Sequence, residues 1–243
     1  MSEHEIDYSL HYRKWHNTSI EHYNSYVPYY AKMLSPHLGE DKDIPVLDIG
    51  CGMGLALYAL KQRGYKKLKG VDISKQQVSA AVEKGLDVEL LSDTGKWLSE
   101  NANTFERILA LDVIEHIPVN EQIQVAKGIS SSLKAGGKFI CTVPNANSVL
   151  ASRWRYIDWT HTSSFTEHSL EFLLLNSGFT EVKIYETEFF NKPKYPFVIR
   201  KSVIQWLFFK IMRWFRRQSV IAELGPEGKT IPLSLNLLAV ATK

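Results

Sequence analysis

The sequence predicts an α/β protein built on a doubly wound, mostly parallel sheet of seven strands. Two observations carry this prediction. From residue 43 onward, short apolar runs alternate with segments of helical periodicity, a pattern that is typical of strands joined through helices. The first apolar run is followed by glycines at three alternate positions and then by a helical segment. Strands that alternate with helices indicate a parallel sheet with right-handed crossover connections, and we expect helices to cover both of its faces.

The individual elements follow from the same patterns. Apolar runs bounded by turn residues predict strands, at 44–49, 67–72, 87–91, 106–111, 138–143, 181–187 and 232–241. Helical spacing predicts helices, near 54–63, 75–84, 94–102, 119–133 and 166–176. The pair Gly136-Gly137 is expected to end the fourth of these helices, and Thr166 is expected to cap the fifth.

The first 42 residues are expected to form a helical cap on a main domain that spans residues 43–243. Apolar and aromatic residues in this part recur at helical spacing, namely Ile20, Tyr23, Val27, Tyr30 and Leu34. They predict a helix from about residue 18 to 35, with Pro28 kinking it or starting its second part. Two interpretations stay open: the helix covers the mouth of a ligand site, or it packs on the edge of the sheet.

A basic and aromatic insertion, residues 188–231, separates the last two predicted strands. Within it, residues 192–217 carry eight lysines and arginines and no acid, interleaved with tryptophan, phenylalanine and tyrosine. Lys210, Arg213 and Arg217 should share one helical face. Such a helix suits an anionic membrane surface or a partner helix. The alternative is a helix buried against its own domain or against a second copy of the chain, as in a homodimer.

Composition limits the remaining function classes. The net charge of +3 is small and no known nucleic-acid-binding module surrounds it, so we expect no nucleic-acid partner. Cys51 and Cys141 do not suggest a disulfide framework. The N-terminus lacks a signal-peptide pattern, and no apolar stretch is long enough to span a bilayer. We therefore expect a cytoplasmic protein, at most peripheral on the inner face of the membrane.

The glycine-rich turn differs from a dinucleotide-binding loop. Its glycines occupy positions 50, 52 and 54, whereas the dinucleotide fingerprint requires the third glycine at the position of Leu55. No lysine or arginine lies between Val46 and Leu60 to meet a phosphate. Asp48, just before the turn, would oppose a phosphate and favour a cationic ligand.

The second strand adds a complementary feature, because it ends in Asp72. An acid at this strand tip is placed to accept hydrogen bonds from both hydroxyls of a ribose. Together with Asp48, it indicates a ligand that contains a ribose and a positive group.

At these residues the chain resembles the Rossmann-like, class I S-adenosylmethionine-dependent methyltransferases. The resemblance covers about residues 43–187 and includes four motifs in order. They are the glycine-rich stretch 46–54, the acid Asp72, the sequence Ser92-Asp93-Thr94 after the third strand, and residues 105–118 at the fourth strand and its loop.

The resemblance implies S-adenosylmethionine as cofactor and a role for each matching residue. Asp48 would organise the surroundings of the methionine amine, and Asp72 would bind the ribose. Asp93 would meet the adenine amine, and Leu111 and Asp112 would line the methionine half. The other expected cofactor-binding residues are Gly50, Cys51, Gly52, Gly54, Ile73 and Thr94.

Two groups of residues are candidates for catalysis on a hydroxyl acceptor, which needs a base. His116 follows the fourth strand; the alternative is that it caps the next helix, where Pro118 fixes the first turn. Asp158 and His161 could form a pair in which the carboxylate holds the imidazole tautomer. Neighbouring recognition-type side chains would bind the substrate, namely Arg153, Trp154, Arg155, Tyr156 and Trp159. The alternative is a loop whose aromatic residues pack under the cap, with a structural His161.

The stretch from Asp158 through His161 to residues 165–179 resembles bacterial methyltransferases of surface-polysaccharide and lipopolysaccharide biosynthesis. This resemblance implies O-methylation of a glycan, with a lipid-linked form left open. The alternative acceptor is a quinone or phenolic precursor, and a non-enzymatic scaffold that binds partners through 192–217 is least favoured. Asp112, Glu115, His116, Asp158 and His161 could supply metal ligands, but nothing in their spacing requires a metal, and we predict none.

Overall fold

The computed structural model describes residues 14–91, 93–187 and 200–243. Within these residues one seven-stranded sheet has the order β3-β2-β1-β4-β5-β7-β6. β7 is antiparallel to both its neighbours, and the other pairings are parallel. The strands are β1 (Pro45–Ile49), β2 (Lys67–Asp72), β3 (Val88–Leu90), β4 (Phe105–Leu111), β5 (Leu133–Pro144), β6 (Glu181–Glu186) and β7 (Asn236–Thr242). The predicted fold class is confirmed.

Helices cover both faces of this sheet. They are α1 (Ile20–Leu38), α2 (Leu55–Gln62), α3 (Lys75–Glu83), α4 (Thr94–Glu100), α5 (Val119–Ser132), α6 (Ala151–Tyr156), α7 (Glu167–Leu175) and α8 (Lys201–Leu224). Short 3₁₀ helices span Ile114–His116 and Gly225–Lys229. As predicted, Thr166 caps α7, and its side chain accepts a hydrogen bond from the backbone N–H of Ser169.

Neighbouring residues of the central strands enter two different cores. Leu47 and Ile108 belong to one buried cluster, whereas Val46 and Leu109 belong to the other. Since side chains alternate across a strand, this division shows that both faces of the sheet are buried. The strand order reverses between β1 and β4, so the carboxyl ends of these strands border the crevice in which doubly wound proteins bind ligands.

α1 is longer than the sequence predicted, and it packs against the sheet. It continues to Leu38 with Pro28 and Pro36 inside it. Leu34 and Leu38 are fully buried against residues of the sheet face, and this packing supports a turn beyond the predicted end. The helix therefore packs on a face of the sheet and not on its edge.

The prediction that Gly136-Gly137 ends a helix is wrong. α5 ends at Ser132, and the glycines lie inside β5, where the register with β4 shifts between Leu133 and Lys138. Gly136 has φ +71°, which a side-chain-bearing residue rarely adopts. The glycines thus accommodate a bulge in the strand.

The last strand also begins later than predicted, at Asn236. Pro232 has no N–H to contribute to a ladder. The Asn145 side-chain amide donates hydrogen bonds to the carbonyls of Pro232 and Ser234, at 3.0 and 2.8 Å. The segment before β7 is therefore fixed largely by side chains, since Arg213 and Arg217 also donate to the carbonyls of Leu233 and Ile231.

α8 forms the helical part of the predicted insertion; residues 188–199, with Lys192 and Lys194, lie outside the described residues. Arg213 and Arg217 do share a face, but that face points at the domain. Arg213 forms an ion pair with Glu186 at 2.7 Å, and Arg217 donates to the carbonyl of Gly228 at 2.8 Å. Of the three basic residues expected together, Lys210 alone is exposed. Among the described helices, none is both long and apolar enough to cross a membrane.

Candidate active site

The glycine turn after β1 reverses the chain in left-handed backbone conformations. Gly50 and Gly54 have φ of +63° and +80°. A Cβ atom on Gly50 or Gly54 would also meet the side chain of Val113 or Leu86, which would have to shift. The left-handed backbone is therefore the main reason for glycine at these positions.

Asp72 at the tip of β2 holds this turn. Its Oδ2 accepts a hydrogen bond from Gly52 N at 2.7 Å, and its Oδ1 accepts one from Ser74 N at 2.8 Å. Burial raises the pKa of the Asp72 carboxyl, and the backbone hydrogen bonds oppose that rise. The acid predicted to bind a ribose thus also fixes the loop beside it.

Asp48 lies beneath the turn and is 2% exposed. Burial, together with the nearby charge of Asp72, raises the pKa of Asp48 to about 8. Burial also raises the pKa of the Cys51 thiol, which disfavours a reactive thiolate. A protonated Asp48 can become charged when a cationic group enters beside it, since an opposite charge lowers the pKa of a carboxyl.

A cavity of about 120 Å³ opens at this point. Six of the predicted cofactor-binding residues line it, namely Asp48, Gly50, Cys51, Gly52, Leu111 and Asp112. His16 and Tyr30 also line it, and neither was predicted as a site residue. The signal for them was the run of aromatic residues in the first 42 positions. The N-terminal segment therefore borders the cavity as well as packing on the sheet.

Three other predicted cofactor residues, which follow β2 and β3, are not among the residues that line this cavity. Ile73 follows Asp72 and is exposed, and Thr94 begins α4. Asp93 is the N-cap of that helix, and its Oδ1 accepts a hydrogen bond from Lys96 N at 2.9 Å. Asp93 thus has a structural role beside the adenine contact, which stays a prediction.

Asp112 follows β4 in a left-handed conformation, with φ +56°. Its Oδ1 accepts hydrogen bonds from Thr142 Oγ1 at 2.9 Å and from Asn236 Nδ2 at 2.7 Å. Burial raises the pKa of Asp112. Burial and the charge of Asp112 also raise the pKa of Tyr29 to about 12. Sequence reasoning missed Thr142 and Asn236, because β5 and β7 are distant from Asp112 in the chain.

Asp158 is linked to His116 through Thr160, and its expected pairing with His161 stays a prediction. Asp158 Oδ1 accepts from both the backbone N–H and the hydroxyl of Thr160, at 2.8 and 2.7 Å. The Thr160 hydroxyl in turn lies 2.7 Å from His116 Nδ1. An aspartate readily bonds the backbone two residues ahead, and this turn directs the carboxylate toward Thr160. His116 therefore contacts the loop after β5 and does not cap α5.

His161 is oriented by a backbone carbonyl. Its Nδ1 lies 3.0 Å from the carbonyl oxygen of Trp154. Its ring meets that of His116 edge to face, with the centroids 4.7 Å apart. The two histidines that were predicted as separate candidates thus form one site.

Glu115 completes this group, although only its metal-binding potential was considered from the sequence. It is 1% exposed, and its Oε2 has no hydrogen-bond partner in the part of the chain that the structure describes. Burial, followed by the charge of Asp112, holds the pKa of Glu115 well above its usual range. The side chains of Glu115, His116 and His161 are the ones that could hold a metal ion here.

The predicted substrate-binding residues follow on and after α6. Trp159 and Tyr156 are 90% and 76% exposed, so their rings do not pack under the N-terminal helix. Arg153 is exposed as well, whereas Arg155 donates a hydrogen bond to the carbonyl of Thr162 at 3.0 Å. Trp154 holds His161 through its backbone. Arg155 Cζ lies 5.1 Å from the centroid of the Tyr156 ring, so Trp159 is the more open aromatic side chain of this segment, and substrate binding there stays a prediction.

Several known proteins are similar to this chain in sequence. The ubiquinone biosynthesis O-methyltransferase of Parvibaculum lavamentivorans is 32% identical over 129 residues, 48% of this chain and 50% of the relative. The enzyme of the same name from Stutzerimonas stutzeri is 29% identical over 107 residues, 42% and 45% of the two chains. This chain therefore spans about half the length of these curated relatives.

Solved structures share the fold. A SAM-dependent methyltransferase from Archaeoglobus fulgidus has a TM-score of 0.67 and 22% identity, covering 98% of this chain and 100% of that one. Phosphoethanolamine N-methyltransferase 2 of Haemonchus contortus, in complex with S-adenosyl-L-methionine, has a TM-score of 0.58 and 16% identity over 89% and 52% of the chains. The family described as "Methyltransferase domain" matches residues 23–184. Because that match covers well over half of the sequence, the chain belongs to this methyltransferase family, and the class predicted from its motifs is confirmed.

Proposed function

We propose that the protein transfers a methyl group from S-adenosylmethionine to a hydroxyl group. The observation that carries this proposal is that both acids meet the glycine turn, which has no lysine or arginine: Asp72 accepts a hydrogen bond from Gly52 N, and Asp48 lines the cavity together with Gly50 and Gly52. Asp72 suits a ribose, and Asp48 suits the ammonium of the methionine part. Leu111 and Asp112 line the same cavity and would bound the methionine half.

The histidine pair supplies the chemistry that a hydroxyl acceptor needs. When bound, S-adenosylmethionine offers an activated methyl carbon, so the protein has to position the acceptor and remove its proton. His116 would accept the proton that the acceptor hydroxyl loses when it takes the methyl group. The hydrogen bonds from His116 through Thr160 to Asp158 would stabilise the resulting positive charge.

We propose a glycan as the acceptor, because the exposed aromatic residues Tyr156 and Trp159 lie close to His161 in the chain. Sugar rings stack on such aromatic side chains. A second candidate is a phenolic precursor of a quinone, which the names of the curated relatives favour. Labelled methyl transfer to lipid-linked oligosaccharides and to polyprenyl phenols, measured side by side, distinguishes the two.

Replacing the histidines separately tests the chemistry. His116→Ala and His161→Ala should keep cofactor affinity, while methyl transfer falls by roughly 10²–10⁴-fold in the variant that removes the base. His168→Ala is the matched control, because this exposed histidine lies beside Glu167 and Glu227, outside the site. Unchanged turnover in both site variants would rule out these base assignments.

We also propose that the protein is cytoplasmic and docks on an anionic membrane surface through the outer face of α8. Exposed apolar side chains form this face, namely Ile204, Leu207, Phe208, Ile211, Met212, Trp214 and Phe215. Lys201, Lys210 and Arg216 are exposed on the same helix. Apolar residues flanked by cations are typical of interfacial helices. A lipid-linked acceptor would be presented at that surface.

Flotation with liposomes tests this surface. The wild type should float with vesicles that contain anionic lipid, and the double variant Phe208→Glu/Phe215→Glu should not, since it places two acids in the apolar face. Phe172→Glu, on α7, is the control, because it changes an equally exposed phenylalanine elsewhere. A wild type that stays with the unbound protein contradicts the proposal, and self-association in sedimentation would assign the face to a homodimer.

A further inference from the structure

The pair of histidines and the buried glutamate converge on one point. One ligand atom from each of Glu115, His116 and His161 lies within 4.8 Å of the others. These residues come from the 3₁₀ helix after β4 and from the loop after α6, and their convergence is a property of the fold and not of sequence spacing. Two imidazoles and one carboxylate form a common ligand set for divalent transition metals.

The hydrogen bonds of both rings favour metal binding. The Trp154 carbonyl can only accept, so His161 must carry its proton on Nδ1 and present the lone pair of Nε2. The Thr160 hydroxyl donates to Asp158 and therefore accepts from His116 Nδ1, which gives the same tautomer. Metal-binding histidines in proteins are typically held in this way, with the second nitrogen bonded to a carbonyl or through a polar group to a carboxylate.

Glu115 supplies an independent observation. Its side chain is almost completely buried, and Oε2 lacks a hydrogen-bond partner among the described residues. An unpaired buried carboxylate oxygen costs free energy, whereas a cation beside it would satisfy it. Thr162 donates twice to the Glu115 backbone carbonyl, at 2.7 and 2.9 Å. These bonds hold Glu115 in place without using its carboxylate.

We infer that Glu115, His116 and His161 form a binding site for one divalent transition-metal cation, of the zinc, cobalt or manganese class. The nitrogen ligands favour these ions over magnesium, which prefers oxygen ligands. Three protein ligands leave coordination positions for water or for the acceptor hydroxyl. Asp112, which lines the cofactor cavity, lies close enough to act electrostatically on both Glu115 and His161.

The part that such a cation plays in methyl transfer rests on the proposed function, but the binding itself does not. A cation that coordinates the acceptor oxygen would ease loss of its proton. His116 would then be a ligand and not a free base. Metal binding can be measured without cofactor or acceptor, so its failure would leave the methyltransferase proposal standing.

Calorimetric and Co²⁺ absorption titrations of the tag-free, chelator-treated full chain test the inference. We expect one equivalent of Zn²⁺ or Co²⁺ to bind the wild type and to raise its melting temperature. Glu115→Gln and His161→Asn should lose this binding. Thr160→Val should weaken it by roughly 10–100-fold, because it removes the group that orients His116.

Controls keep the test decisive. His168→Ala should bind like the wild type, since His168 lies near two other carboxylates on the surface. Circular dichroism shows whether the Glu115→Gln variant, which changes a buried residue, still folds. If it does not fold, metal binding by His161→Asn decides the test, because His161 is partly exposed and its replacement should disturb the fold less. A wild type without saturable binding, or site variants that keep it, would overturn the inference.

Discussion

Asp72→Ala is expected to abolish measurable binding of S-adenosylmethionine. The side chain would lose two charged hydrogen bonds to the ribose, each worth about 1.5–3 kcal/mol, which corresponds to roughly 10²–10⁴-fold in affinity. The same change removes the bonds that Asp72 accepts from Gly52 N and Ser74 N, so the glycine turn should also lose its fixed geometry. Calorimetry with S-adenosylmethionine and S-adenosylhomocysteine measures both effects on affinity.

The matched control is Asp87→Ala. Asp87 is an exposed aspartate before β3 that pairs with Lys69 at 3.1 Å on the surface, and its loss should leave cofactor affinity unchanged. Circular dichroism of Asp72→Ala should show an intact sheet, because β2 is held by β1 and β3 on its two sides. A wild type that binds neither compound would contradict the proposed cofactor, and undiminished affinity in Asp72→Ala would remove the ribose role.

Local signals made the sheet and the cofactor side of the site predictable. Apolar runs and helical periods are properties of neighbouring residues, so their alternation predicted a doubly wound, mostly parallel sheet. Gly50, Gly54 and Asp72 lie at the ends of β1 and β2, and the topology of such a sheet brings strand ends together. These residues could therefore be named, and placed near one another, before any contact was known.

The acceptor side was less predictable because its contacts join distant parts of the chain. His116 and Thr160 are 44 residues apart, and no spacing rule connects them. Asp158 is linked to His116 through Thr160, a connection that the sequence did not suggest. In the same way, the sequence left open whether the face with Arg217 meets a membrane or the domain itself, and in the structure the carbonyls of Gly228 and Ile231 bind Arg217. Such pairings depend on packing, which periodicity does not report.

Asp48→Asn is expected to stabilise the fold and weaken the site at once. The native pKa of Asp48 is about 8, against an ordinary value of 3.8. Between these two values the native protein keeps a proton that the unfolded chain has released. The wild type therefore loses stability as the pH rises through this window, and its full stability is present only below the ordinary pKa. Asparagine cannot ionise and should avoid that loss.

The free energy of unfolding of Asp48→Asn should accordingly exceed that of the wild type by an amount that grows with pH and levels off above pH 8, reaching the order of a few kcal/mol. Urea denaturation at several pH values measures it. The control Asp87→Asn changes an exposed aspartate and should follow the wild-type profile. A difference that stays constant with pH would contradict the buried, protonated state of Asp48.

Asp48→Asn should weaken the binding of S-adenosylmethionine, although it stabilises the fold. At neutral pH the wild-type Asp48 holds its proton, and an entering ammonium group favours the charged carboxylate, so binding should release a proton to the buffer. The calorimetric enthalpy should therefore depend on the ionisation enthalpy of the buffer in the wild type, and this dependence should disappear in Asp48→Asn together with much of the affinity. A buried acid that costs stability in the empty protein and becomes favourable when a cation binds is what a site built for a positively charged ligand requires.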